Sequence, residues 1–76
     1  MNIIIAGAGE VGFHLAKMLS DENHQITIID KDEARLHQIA ETTDVVPFFG
    51  AVTSISILEK AGISHCDLFI AVSPAA

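Results

Sequence analysis

The hexapeptide Gly7-Ala8-Gly9-Glu10-Val11-Gly12 constrains this chain more than any other feature. Before it runs Asn2 to Ala6, with three consecutive isoleucines. After it comes Glu10 to Ser20, with Val11, Leu15, Met18 and Leu19 at helical spacing. A short β-branched run without alternation predicts a strand covered on both faces, as in a parallel sheet. The G-x-G-x-x-G spacing between strand and helix has a physical reading at each glycine. Gly7 permits the tight exit from the strand, Gly9 lets backbone approach a pyrophosphate, and Gly12 lets the helix pack close to the strand. The helix N-terminus adds free N–H groups and partial positive charge at the same place.

Such a hexapeptide is a weak signal alone, and its context decides its weight. Gln25 to Ile29 is a second β-rich run, closed by Asp30, which falls 18 residues after Gly12. A carboxylate there can accept hydrogen bonds from ribose hydroxyls and would repel a 2′-phosphate, which favours NAD or an adenosine nucleotide over NADP. Lys31 and Arg35 lie close enough in sequence to soften that preference. Glu10 opens the first helix, where a carboxylate is favourable and points to solvent.

The remaining elements follow the same rhythm. Asp32 is placed to cap a second helix with Leu36, Ile39 and Ala40 as its apolar stripe. Asp44 to Phe49 is the third strand, ended by Gly50. Thr53 or Ser54 caps a third helix carrying Ile57, Leu58 and Ala61, with Gly62 where a C-terminal glycine belongs. Asp67 to Val72 is a fourth strand. The order β-α-β-α-β-α-β predicts an α/β fold: a Rossmann-like parallel sheet in the spatial order 3-2-1-4 with flanking helices, ending after the fourth strand. Pro47 then falls on an edge strand, where one side needs no ladder donor.

All 76 residues are read as one unit, the N-terminal part of a nucleotide-binding domain. Half of them are hydrophobic and 18% are charged, too apolar for a disordered chain. The excess apolar surface, and the open apolar edge of the fourth strand, imply cover by more of the same chain or by a second copy. The net charge of −6 argues against a nucleic-acid partner. No run approaches the roughly 18 apolar residues of a membrane span, and the start of the chain lacks the basic leader of a signal peptide.

No catalytic or metal-binding set stands out. His14, His24, His37 and His65 are scattered, without ligand spacing and without a carboxylate at a fixed offset. The single Cys66 excludes an intrachain disulfide and reads as a small buried side chain.

Four segments together resemble one family: Ile3 to Gly12, Ile28 to Asp32, Ala61-Gly62-Ile63, and Cys66 to Val72. They look like the N-terminal half of TrkA-type potassium-uptake proteins, whose RCK (KTN) domain regulates K⁺ transport. The resemblance runs over essentially the whole chain. It implies a non-enzymatic, cytoplasmic subunit, peripheral to the inner face of the cell membrane. It implies binding of NAD or NADH, alternatively ADP or ATP, homo-oligomers, and action on a membrane K⁺ transporter. By carry-over, Gly7, Ala8, Gly9, Val11 and Gly12 hold the phosphates and Asp30 the adenosine ribose. Lys31 and Arg35 lie beside the adenosine end. Gly50, Ala51 and Thr53 flank the adenine side, and Ala71, Val72 and Ser73 line the central crevice. One departure is local: Ala51 and Val52 replace a pair that is usually acidic or amide, then small, in the family. Two other readings remain open, the cofactor half of an NAD-dependent dehydrogenase and a ligand-free Rossmann assembly module.

Overall fold

In the computed structural model, which describes residues 1–72, strands and helices alternate as the sequence predicts. The strands are β1 (Asn2–Ala6), β2 (Gln25–Asp30), β3 (Val46–Phe49) and β4 (Leu68–Ala71). The helices are α1 (Glu10–Ser20), α2 (Glu33–Thr42) and α3 (Ile55–Ala61), with a 3₁₀ turn at Ile63–His65 before β4. All pairings are parallel and the sheet order is β3-β2-β1-β4, so the expected order 3-2-1-4 is observed.

Register explains where the core sits. Ile3 pairs with Ile26 and Leu68, and Ile5 with Ile28 and Ile70. These residues share one face, because paired residues in a parallel sheet point the same way. Ile3, Ile5, Ile26 and Ile28 cluster with Ala16 of α1 and with Leu36 and Ile39 of α2. Each fully buried isoleucine contributes about 1.5–3 kcal/mol over leaving it exposed. Ile4 and Ile29 belong to the opposite face and are buried too. On that side, Ala61 and Gly62 at the end of α3 line a cleft together with Ile4 and Thr27. Two covered faces are what the unalternating strand β1 requires.

The caps follow local chemistry. Asp32 accepts from the Arg35 N–H at the start of α2, and Ser54, rather than Thr53, accepts from the Ile57 N–H at the start of α3. Gly62 ends α3 in the left-handed region at φ 94°. Asn23 turns the chain between α1 and β2 at φ 64°, a conformation asparagine tolerates.

Several expectations need correction. In α1 the buried stripe is Gly12 and Ala16, with Leu15 and Leu19 packed beside it, while Val11 and Met18 are 59% and 64% exposed. The small residues face the sheet because only they allow the close approach that Gly12 sets up. Ala40 is likewise exposed, and α2 buries only Leu36 and Ile39. The core-facing residues predicted for α3 are only half-buried. Cys66 is half-buried, its thiol donating to the Ile63 carbonyl oxygen at 3.3 Å. β3 starts at Val46 because the Val45 N–H is drawn into a turn by the Thr43 carbonyl oxygen. β4 is trimmed to Leu68–Ala71, yet both flanking residues bond to β1: Asp67 N–H to Asn2 O at 2.7 Å, and Val72 N–H to Ala6 O at 2.8 Å.

Candidate functional site

The three loops that leave β1, β2 and β3 meet at the carboxyl end of the sheet, where open α/β sheets bind their ligands. Their backbones are tied together. The Gly7 N–H donates to the Ile29 carbonyl oxygen at 2.8 Å, and the Gly50 N–H donates to the Asp30 carbonyl oxygen at 3.0 Å. One oxygen of the Asp30 carboxylate accepts from the Ala8 N–H and the other from the Asp32 N–H, both at 2.7 Å.

The glycines of the turn are required for different reasons. A Cβ on Gly7 would lie 2.1 Å from the Val72 carbonyl oxygen, and its φ of 119° suits only glycine. A Cβ on Gly12 would lie 2.1 Å from the Gly7 carbonyl oxygen, so α1 sits directly against the turn. Gly9 differs. Its φ of −72° and ψ of −168° suit any residue, and the nearest atom to a Cβ there is Arg35 Nη1 at 3.8 Å. Among the described residues, nothing requires glycine at this position. Gly9 is also the N-cap of α1 and lacks a side-chain capping bond, so the orphan N–H groups of the first turn keep no side-chain acceptor from the cap. That combination, open space over unsatisfied donors, fits the pyrophosphate of a dinucleotide or a nucleoside diphosphate.

The electrostatics are mixed. Arg35 Nε lies 3.4 Å from Asp32 Oδ2, a half-exposed i,i+3 pair that holds the guanidinium beside Gly9. Glu10 is the first residue of α1 and is exposed. An anion placed over the start of α1 would meet the Arg35 guanidinium and the helix dipole, with carboxylates at the margin.

Of the residues expected at the site, Gly7, Ala8, Gly9, Gly12, Asp30, Arg35 and Gly50 are gathered at this end of the sheet. Ala71 pairs with Ala6, and the Val72 carbonyl abuts Gly7, which puts the end of β4 beside the turn. Val11 lies in the first turn of α1 with its side chain in solvent. Lys31, Ala51 and Thr53 are exposed on the neighbouring loops, and no side-chain bond joins them to the cluster. Ser73 lies outside the described residues. Sequence reasoning missed the double use of the Asp30 carboxylate, for which spacing carries no signal. It also missed the pairing of His37 Nε2 with Glu41 Oε1 at 3.1 Å, which the i,i+4 offset contains. A second histidine contact joins His24 Nε2 to Glu22 Oε2 at 3.4 Å.

Two clefts, of about 180 and 390 Å³, open at the other end of the strands. The first is lined by Asn2, Gln25, His65 and Cys66 among others, the second by His24, Asp44 and Val46. The glycine turn borders neither. A ligand on this fold lies along an open rim above the strands, so enclosed volume does not locate it. Among the described residues there is no group of three or more His, Cys, Asp or Glu placed to hold a metal ion, and no helix is long and apolar enough to cross a membrane.

Comparison with known proteins agrees with this geometry. Residues 3–76 match the family model of the TrkA-N domain. A "Trk system potassium uptake protein TrkA homolog" of Archaeoglobus fulgidus is 45% identical over 73 residues, 96% of this chain and 16% of the relative. The "Trk system potassium uptake protein TrkA" of Halomonas elongata is 40% identical over the same share of each chain. A TrkA homolog of Methanothermobacter thermautotrophicus is 36% identical over 96% of this chain and 34% of the relative. The chain thus spans between a sixth and a third of the length of these relatives. With a glycine turn, a 3-2-1-4 parallel sheet and a family match over nearly its whole length, the chain belongs to the TrkA-N domain family.

Proposed function

We propose that this chain is the nucleotide-sensing part of a regulatory subunit of a Trk-type K⁺ uptake system, binding NAD(H) or an adenine nucleotide and gating transport without catalysing a reaction. The observation that carries the reading is Gly9: none of the described residues needs glycine there, and a diphosphate lying on the start of α1 does. The names of the relatives, all of them Trk system potassium uptake proteins, support the transport context. In this reading the protein works at the inner face of the cell membrane as a homo-oligomer, docked on a membrane K⁺ transporter. Gly7, Ala8, Gly9, Val11 and Gly12 hold the phosphates, and Asp30 accepts from the ribose. Lys31, Arg35, Gly50, Ala51, Thr53, Ala71, Val72 and Ser73 surround the adenosine and the crevice.

The test is a parallel calorimetric titration of NAD, NADH, ADP and ATP, with Gly9→Val as control. Saturable binding that Gly9→Val abolishes is expected, and the ranking of the four ligands identifies the signal. Absence of binding by the full-length protein would favour a ligand-free assembly module. NAD-linked oxidation of a substrate by the full-length protein would favour a dehydrogenase half.

A further inference from the structure

Asp30 does more than wait for a ribose. Both of its carboxylate oxygens are already engaged in the protein alone, Oδ2 by the Ala8 N–H and Oδ1 by the Asp32 N–H, each at 2.7 Å. Its carbonyl oxygen accepts from the Gly50 N–H at 3.0 Å. A single residue therefore bonds to the β1–α1 turn, the β2–α2 turn and the β3–α3 turn. Ala8 is the residue between the two glycines of the turn, and it is buried. Its N–H is held from the side by the carboxylate, while the neighbouring Gly7 N–H is held by the Ile29 carbonyl oxygen at 2.8 Å. These two bonds fix the orientation of the peptides that lead into Gly9. Gly9 has no bond of its own of this kind: its conformation is an ordinary extended one, and among the described residues only the Arg35 guanidinium comes near it.

We propose that Asp30 is a positioning residue for the phosphate site: its carboxylate latches the glycine turn through the Ala8 N–H, so that the phosphates depend on Asp30 even when the ligand offers it no ribose hydroxyl. The proposal rests on the nucleotide reading and extends it. Each carboxylate oxygen has a second lone pair free for a ribose hydroxyl, so latch and ribose acceptor are compatible roles. They are separable chemically. A ribose acceptor matters only to ligands that carry 2′- and 3′-hydroxyls. A latch matters to every ligand with a diphosphate.

The variant is Asp30→Asn in the full-length protein. It keeps the shape, but its amide offers one oxygen and one NH₂ where two acceptors are needed; every outcome is therefore also read on Asp30→Ala, which removes both acceptors and frees the Ala8 N–H whichever way the amide turns. The ligands are ADP and 2′,3′-dideoxy-ADP, titrated into parent and variant. The latch predicts that the variant binds dideoxy-ADP about tenfold more weakly than the parent, and ADP more weakly still. Unchanged affinity for dideoxy-ADP with weakened ADP would overturn the proposal and leave Asp30 as a ribose acceptor only. A second readout needs no nucleotide: amide exchange in the ligand-free protein. Faster exchange in the Ala6 to Phe13 segment, with β2 unchanged, is the expected result. Unchanged exchange in that segment, or equal acceleration through β2, would overturn the latch. If the parent binds neither ligand, the nucleotide reading fails, and exchange alone still decides whether the latch exists.

Discussion

At the residue scale, Gly7, Gly9 and Gly12 belong to one motif and obey different constraints. Gly7 and Gly12 are enclosed by backbone carbonyls at 2.1 Å from a would-be Cβ, so Gly7→Ala or Gly12→Ala must move backbone. Each is expected to destabilise the fold by about 2–4 kcal/mol, read by thermal or urea denaturation. Gly9 has room and an ordinary conformation. Serine is a better N-cap than glycine, so Gly9→Ser is expected to hold or slightly raise stability, by a few tenths of a kcal/mol at most. The same side chain fills the space over the first turn of α1, and nucleotide affinity should fall by about tenfold or more. Stability and affinity moving in opposite directions would separate this position from its two neighbours; a loss of both would mean that Gly9 serves the fold after all. The motif assigns the three glycines different roles, and the contacts behind them differ in range. Gly12 meets the Gly7 carbonyl five residues away, whereas Gly7 meets the carbonyl of Val72, which is 65 residues away in sequence and reaches it only in the folded sheet.

At the element scale, helix ends carry the local energetics. Asp32→Ala removes the cap of α2 and the carboxylate beside the Arg35 guanidinium. A loss of about 1 kcal/mol in denaturation midpoint analysis is expected, with little added by the exposed ion pair itself. Gly62→Ala tests backbone alone, since φ is 94° and no atom of the described residues lies within 4 Å of a Cβ there. It is expected to cost about 1 kcal/mol, well below Gly7→Ala, because left-handed strain acts without a clash. These caps were legible in the sequence: Asp32, Ser54 and Gly62 stand at the ends their chemistry favours. The buried face of α1 was less legible. Val11 and Met18 satisfy helical periodicity, yet the helix turns Gly12 and Ala16 toward the sheet because the glycine contact fixes its rotation.

At the scale of the whole molecule, the largest buried cluster is the layer of isoleucines between the sheet and α1 with α2, with Ile4 and Ile29 buried on the opposite face. A domain of this length buries only about 60% of its unfolded surface, which leaves a thin margin. Ile5→Ala or Ile28→Ala, at positions with no exposed surface, should cost about 2–5 kcal/mol and leave much of the chain unfolded, as seen by circular dichroism. The outer strands and α3 hold less. Phe49 and Ile55 are 61% and 73% exposed, and α3 buries no residue fully. This uneven distribution leaves large apolar side chains of the outer elements in solvent. Amide exchange should be slowest in β1 and β2 and faster in α3, and equal protection in all three would contradict it.

The alternation of strand and helix, the caps, the glycine turn and the acidic end of β2 were written in the sequence, because each depends on residues within one or two turns of one another. The 3-2-1-4 order followed from the Rossmann-like reading of the glycine turn and its context, since right-handed parallel crossovers alone also permit other orders such as 2-1-3-4. Tertiary structure alone decided what closes over Gly7 and which helix residues are buried. It also decided that Asp30 holds three loops at once. Those properties depend on atoms brought together from distant parts of the chain, such as the Val72 carbonyl over Gly7 and the Ala8 N–H on the Asp30 carboxylate, and no local pattern encodes such a contact.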